Sequence, residues 1–82
     1  MSLWFEWDTN KAEENLTKHG ISFEEATTVF GDSLSLTVPD PLHSVGEERL
    51  LLLGYSDRNR LVVVVHTEAR DRLRIISARL AT

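Results

Sequence analysis

The segment DTNKAEENLTKHGISFEEATTVFG, residues 8–31, predicts two consecutive helices and so determines the fold class. Asp8 is a typical helix N-cap residue, and no Gly or Pro interrupts the chain from there to His19. Lys18, His19 and then Gly20 form the sequence of a helix C-terminus, where basic side chains and a glycine are favoured. We therefore expect a first helix that begins after Asp8 and ends at Gly20.

The second helix is predicted to begin directly afterwards. Ser22 and Glu25 have the S-x-x-E spacing of a capping box, in which each side chain accepts a hydrogen bond from the other residue's backbone N–H. Gly31 supplies a stop. The residues expected to face the core at helical spacing are Phe23, Ala26, Thr27 and Phe30.

The rest of the chain is typical of β-strands. Residues 3–7 are rich in aromatic side chains and predict a short first strand. After the helices, Leu34, Leu36 and Val38 alternate with polar residues, the pattern of a half-buried strand. Further strands are predicted at 49–54, 61–65 and 73–78, with a loop at 39–46 and turns at 56–59 and 68–71. The 82 residues predict a single α+β domain, residues 1–82, of order β-α-α-β-β-β-β, with both helices packed on a mostly antiparallel sheet.

Composition excludes several classes of function. The chain has no cysteine, no apolar stretch of membrane-spanning length and no pattern of an export signal, so we expect a cytoplasmic protein without membrane association. Its three histidines, His19, His43 and His66, have no metal-ligand spacing, and its four glycines form no phosphate-binding loop. We therefore expect neither a metal nor another cofactor.

The charge is divided unequally along the chain. Residues 1–48 carry two lysines and ten acidic residues, a formal charge of −8, whereas residues 49–82 carry seven arginines and three acidic residues, a formal charge of +4. One interpretation is that the two halves pair with each other. The other is a local anion site, because arginine suits bidentate contact with phosphate.

His19 and Lys18 are the first candidates for chemistry. Positions 12, 16 and 19 share one face of the first helix, next to a polar stripe of Lys11, Asn15 and Lys18, so the imidazole is expected at the border between core and solvent. His19 could simply stabilise the helix C-terminus. Alternatively, it and Lys18 project towards a bound phosphate, since imidazole titrates near neutral pH and can transfer protons.

The arginines are the second candidates. Strict alternation along the last strand would point Arg72, Arg74, Ile76 and Ala78 to one face and Leu73, Ile75, Ser77 and Arg79 to the other. Each arginine could be paired with an acid from the helices. Together with Arg49, Arg58, Arg60 and Arg70, they could instead hold a backbone phosphate or an acidic partner.

The sequence resembles the BrnT-type toxin family over nearly its whole length. At the N-terminal end the matching motifs are Phe5-Glu6-Trp7-Asp8, Lys11, Asn15, Lys18-His19-Gly20, Ser22-Phe23-Glu24-Glu25-Ala26 and Phe30. Further along they are Asp40, Glu48-Arg49, Gly54, Arg60, Thr67 and Arg74-Ile75-Ile76-Ser77-Ala78-Arg79. The resemblance implies a fold like that of RelE-type ribonuclease toxins and growth arrest through RNA cleavage. It also implies a BrnA-type antitoxin that binds the toxin and represses the operon through its own DNA-binding part. It also implies a charged helix after Arg79, which we expect to be missing here.

RNA cleavage gives each candidate residue an expected role. The 2′-hydroxyl of RNA can attack the adjacent phosphate without a metal if a proton is removed and the developing charge is stabilised. We expect His19, or else Glu48, to transfer the proton and Lys18, Arg49 and Arg70 to stabilise the charge. Arg60, Arg74 and Arg79 are expected to position the RNA strand. The alternative is a binding module without catalytic activity that docks an antitoxin-like partner.

Overall fold

The computed structural model describes residues 4–40 and 48–81. In chain order its elements are β1 (Trp4–Glu6), α1 (Thr9–His19), α2 (Phe23–Val29), β2 (Leu36–Pro39), β3 (Leu50–Tyr55), β4 (Leu61–Ala69) and β5 (Arg72–Leu80). The predicted α+β class and the order β-α-α-β-β-β-β are confirmed. The predicted loop at 39–46 falls mostly outside the described residues.

The strands form one mixed sheet in the order β1-β5-β4-β3-β2. Neighbours from β5 to β2 are antiparallel, whereas β1 lies parallel to β5, with Glu6 opposite Arg74. Both helices pack on one face, α1 against β5 and α2 against β3, β4 and β5. The opposite face, which we call the open face, carries no helix in the described part of the chain.

The helix ends follow the predicted capping chemistry, with one exception. The Asp8 carboxylate accepts hydrogen bonds from the first backbone N–H groups of α1, and Gly20 closes that helix at φ 72°. Ser22 Oγ accepts from the Glu25 backbone N–H at 3.0 Å, as a capping serine should. The reciprocal half of the capping box is wrong, because the Glu25 side chain turns away to Ser56 and Arg60.

The core lies between the helices and the sheet. Trp7 stacks edge-on against Phe23 with ring centroids 5.9 Å apart, and Phe5 meets Phe30 in the same way at 5.2 Å. Aromatic edge-to-face contacts of this kind add to the stabilisation from burial. The fully or nearly fully buried apolar residues are Ile21, Phe23, Ala26, Val29, Leu52, Val62, Val64, Leu73, Ile75 and Ala78.

The first strand after the helices differs from its prediction. The pattern of a half-buried strand put Leu34, Leu36 and Val38 on its buried side, but they are 90%, 60% and 41% exposed. Leu34 precedes β2, and the other two lie on the open face, opposite Leu53 and Leu51 of β3. Their apolar side chains therefore point away from the core.

A bulge in β5 changes which side chains share a face. Ser77 pairs with Val65 and Ile75 with His66, so Ile76 has no partner in the β4 register. The extra residue returns Ala78 to the core side with Leu73 and Ile75. The strict alternation expected from the sequence is thus wrong beyond Ile76, and Arg79 lies on the open face with Arg72 and Arg74.

No helix among the described residues has the length and apolar character needed to cross a membrane.

Candidate functional site

A cationic cleft lies at the edge of the open face, where β1, β4 and β5 contribute side chains together with Lys11 of α1, which packs on the other face. It has a volume of about 580 Å³. Parallel pairing of β1 with β5 places Glu6 beside Arg74, and the β4 register places Thr67 on the other side of Arg74. The residues that line the cleft are Glu6, Lys11, Arg49, Thr67, Ala69, Arg72, Arg74 and Ile76. Among the residues that the structure describes, four cations against one carboxylate give this cleft a strongly positive character although the whole chain is acidic.

The carboxylate of Glu6, which lines the cleft, makes only long contacts with its neighbours. Glu6 Oε1 lies 3.6 Å from Arg72 Nη1, and Glu6 Oε2 lies 3.7 Å from Arg74 Nη1. Both separations exceed hydrogen-bond length, and the three side chains are between 43% and 66% exposed. Exposed ion pairs of this kind add little to stability, so the two guanidinium groups remain available to an anionic ligand.

A second groove continues from the cleft along α1 to its C-terminus. Lys11 and Ile76 line both spaces, which makes them the junction. The groove is lined by Lys11, Glu14, Asn15, Lys18, His19, Ile76 and Ser77 and has a volume of about 230 Å³. The structure therefore places the predicted pair Lys18 and His19 in a groove that adjoins the cleft of Arg72 and Arg74, and His19 is half buried as expected.

Asn15 fixes the floor of this groove. Its amide nitrogen donates to the carbonyl oxygens of Ile21 and Ala78 at 2.9 and 2.8 Å, and its oxygen accepts from the Ala78 backbone N–H at 3.0 Å. Asn15 is buried, so these bonds form away from solvent. They hold α1 against β5 just beyond the bulge and set the distance between the helix and strand walls of the groove.

The other predicted site residues lie around the cleft at different distances. Arg49 lines it, and Glu48 precedes Arg49 and is exposed. Arg70 sits in the turn between β4 and β5 with φ 56°, next to the lining residue Ala69. Arg79 lies further along β5 on the same face, opposite Val63. Of the eight predicted site residues, Arg49 and Arg74 therefore line the cleft, and Lys18 and His19 line the groove. Glu48 and Arg70 are neighbours of lining residues in the sequence, and Arg79 lies on the open face.

Arg60 is separate from this group. Its Nε donates to Glu25 Oε2 at 2.9 Å, Nη2 donates to Glu25 Oε1, and Nη2 also donates to the Gly20 carbonyl oxygen at 3.1 Å. The hydrogen bonds from Arg60 hold the pKa of Glu25 below its usual value despite burial, and Glu25 in turn raises the pKa of Arg60. Arg60 thus links β4 to both helices, and its guanidinium is occupied.

Three charged residues that line the cleft were not among the predicted site residues: Glu6, Lys11 and Arg72. The sequence pattern put Lys11 on the same helix stripe as Lys18, and Arg72 on the same strand face as Arg74. This shared periodicity was the signal that could have identified both residues. The position of Glu6 depends on β1 pairing with β5, which lies more than 60 residues away in sequence. Trp4 neighbours Arg72 in the same register and is 66% exposed, so an aromatic ring also borders the cleft.

An apolar strip borders the cationic half of the open face. Rows of paired residues run across the sheet, and one row joins Leu36, Leu53, Val63 and Arg79. The exposed apolar side chains of the strip include Leu36, Val38, Leu53 and Tyr55. A surface of this kind is typical of a contact site for another macromolecule.

The described residues contain no group of three His, Asp or Glu side chains placed to hold a metal ion. His43 lies outside them. His66 is fully buried, stacks edge-on against Phe30 at 4.8 Å and contacts Glu68 at 3.2 Å, which gives it a place in the core.

The fold and the cleft together define a small α+β protein with a cationic cleft at one edge of its sheet. The family model described as the ribonuclease toxin BrnT of type II toxin-antitoxin systems matches residues 7–82. The chain belongs to this family, and such a toxin has an antitoxin protein as its partner and RNA as its substrate.

Comparison with solved structures supports the fold. The chain is similar to the crystal structure of the Brucella abortus ribonuclease toxin BrnT, determined at 1.1 Å resolution, with a TM-score of 0.72 and 21% sequence identity. The match covers 99% of each chain. No curated protein sequence matches significantly.

Proposed function

We propose that this chain is a metal-independent endoribonuclease that cleaves RNA in the cationic cleft and is neutralised by a BrnA-type antitoxin. The observation that carries the proposal is the continuity of the cleft with the groove that holds Lys18 and His19. It supports the proposal because a group able to transfer protons and cations able to hold a phosphate line two adjoining spaces.

The chemistry needs only RNA and side chains. The 2′-hydroxyl attacks the neighbouring phosphorus, and His19, or else Glu48, transfers the proton. Lys18, Arg49 and Arg70 stabilise the charge that develops on the phosphate oxygens. Arg74 and Arg79 hold the strand along the open face, and Trp4 offers a ring on which a base can stack. We give Arg60 a structural role, because its guanidinium is occupied by Glu25 and Gly20.

The antitoxin is proposed to cover the apolar strip and the adjoining cations. An acidic segment with an apolar face would be complementary to both parts of the surface, since the row through Leu53 ends at Arg79. Binding there would block access of RNA to the cleft. We place the pair in the cytoplasm, with DNA contacted only through the antitoxin.

The test combines growth with RNA cleavage. The chain is induced in bacteria with and without its neighbouring gene, and growth and total RNA integrity are followed. We expect arrest with RNA loss, relieved by the neighbouring gene, and cleavage by the purified protein that persists in EDTA. The Arg72→Ala/Arg74→Ala double variant should cleave about 100-fold more slowly. Arg58→Ala removes the same kind of charge from an exposed turn outside the cleft and should cleave like wild type.

The binding-module alternative predicts a different result. Its supporting observation is the exposed apolar strip, which fits a docking surface whether or not the cleft is active. Undiminished growth and intact RNA, together with a stable complex with the neighbouring gene product, would reject the ribonuclease proposal in favour of this alternative.

A further inference from the structure

Glu6 occupies an unusual position for a surface carboxylate. It is the one acidic residue among the described side chains that line the cationic cleft, and Arg72 and Arg74 flank it. Lys11 of α1 and Arg49 before β3 line the same space. A ligand phosphate that contacts these cations must therefore lie close to the Glu6 carboxylate.

The geometry leaves Glu6 free to accept a proton. Its distances of 3.6 and 3.7 Å to the two guanidinium groups are too long for hydrogen bonds, and the side chain is 43% exposed. Glu25 shows the contrasting arrangement, since its carboxylate accepts hydrogen bonds from Arg60 Nε at 2.9 Å and Ser56 Oγ at 2.6 Å and is almost fully buried. The lone pairs of Glu25 are used in the fold, whereas those of Glu6 point to a space that can admit a ligand.

RNA transesterification needs two groups that transfer protons, one for the attacking oxygen and one for the leaving oxygen. His19 supplies one, but it lies in the groove beyond the Lys11 junction. A second group is required on the other side of the bound phosphate, in the cleft itself. Among the described residues that line the cleft, only Glu6 has a carboxylate, whose oxygens can accept a proton.

We propose that Glu6 is the general base of the ribonuclease reaction, an inference that rests on the proposed function. The Glu6 carboxylate takes the proton of the 2′-hydroxyl, and the 2′-oxygen forms a bond to phosphorus. The bond from phosphorus to the 5′-oxygen breaks, and that oxygen takes a proton from the His19 imidazolium. The products are a 2′,3′-cyclic phosphate and a 5′-hydroxyl, so no water, metal or other reactant is consumed.

The key variant is Glu6→Gln, which keeps the size of the side chain and removes its basicity. Single-turnover cleavage of a fluorescent RNA is compared with affinity for the matching 2′-deoxy oligonucleotide, which cannot react. We expect the cleavage rate to fall at least about 100-fold. Affinity should be unchanged or tighter, because a negative charge has been removed from among four cations. Retained affinity also shows that the variant is folded.

Controls separate the inference from the function on which it rests. Glu13→Gln removes a charge from α1 outside the cleft and should behave as wild type. Glu6→Asp retains a basic oxygen and should cleave faster than Glu6→Gln.

Two outcomes would overturn the proposal, at different levels. Cleavage by Glu6→Gln within twofold of an active wild type would remove Glu6 as the base and leave the ribonuclease function intact. Failure of both wild type and Glu13→Gln to cleave RNA would instead reject the ribonuclease function itself, and the role of Glu6 with it.

Discussion

At the scale of single residues, two glutamates that both lie near arginines differ in what they contribute to the molecule. Glu25 is nearly fully buried and bonded to Arg60 and Ser56, so it contributes to the fold. Glu6 is half exposed and makes only long contacts with its arginines, so it contributes to the cleft. The difference follows from solvent access, because ion pairs in water are weak and buried carboxylates require partners.

The lowered pKa of Glu25 makes part of the folding stability depend on pH. A carboxyl whose folded pKa is depressed stabilises the fold above its unfolded pKa, and that contribution is lost as pH falls through the folded pKa. Glu25→Gln should therefore lower the free energy of unfolding by about 1–3 kcal/mol at pH 7. The difference from wild type should shrink at pH 3. Urea unfolding at both values measures it.

Glu24→Gln is the matched control for this prediction. Glu24 is exposed on the same turn of α2, so its substitution should change stability by less than about 0.5 kcal/mol at either pH. A Glu25→Gln deficit of equal size at both pH values would show that the ionised carboxylate is not the source of the stabilisation.

At the scale of elements, local patterns in the sequence predicted the helices and strands. The assembly of the site depends on pairing between strands that are distant in the sequence. Asp8, Gly20 and Ser22 act within a few residues of themselves, so the helix ends could be predicted. The alternation along β5 fails at Ile76, because the bulge is defined by its pairing with β4. That shift moves Arg79 to the open face with Arg72 and Arg74.

For the candidate site, too, the sequence indicated suitable residue types but not the long-range contacts between them. Lys18, His19 and the arginines were recognisable as residue types suited to phosphate chemistry. The role of Glu6 was not, because it depends on a parallel strand pair that no local pattern specifies. Arg60 was predicted to position RNA for the same reason: no local pattern indicates its ion pair with Glu25, which lies 35 residues earlier in the chain.

The attachment of α1 to β5 can be tested at Asn15. Asn15→Ala leaves the Ile21 carbonyl and both backbone groups of Ala78 without their hydrogen-bond partner in a buried position. We expect a loss of about 3 kcal/mol in the free energy of unfolding, measured by urea denaturation. Asn10→Ala, an exposed substitution in the same helix, should cost no more than about 0.5 kcal/mol. Similar stabilities for the two variants would contradict the role of Asn15 as the link between helix and strand.

At the scale of the whole molecule, the sheet separates stability from binding. One face is covered by both helices and holds the buried core, whereas the open face holds the cationic cleft and the apolar strip. Substitutions on the open face can therefore change binding with little effect on folding. The acidic residues concentrated in the first half of the chain keep the total charge at −4 without neutralising the cleft.

This separation of charge predicts how RNA binding responds to salt. Each backbone phosphate held by a cation releases counterions, so affinity falls as salt rises even though the protein as a whole is acidic. With about three phosphates contacted in the cleft, the logarithm of the association constant should fall against the logarithm of salt concentration with a slope of about −2. Fluorescence anisotropy with a 2′-deoxy oligonucleotide measures the slope. Arg74→Ala should make it shallower by about 0.7, whereas Arg58→Ala should leave it unchanged. A flat salt dependence in wild type would place the contacts with RNA outside the cationic cleft, because the local positive charge would then have no part in binding.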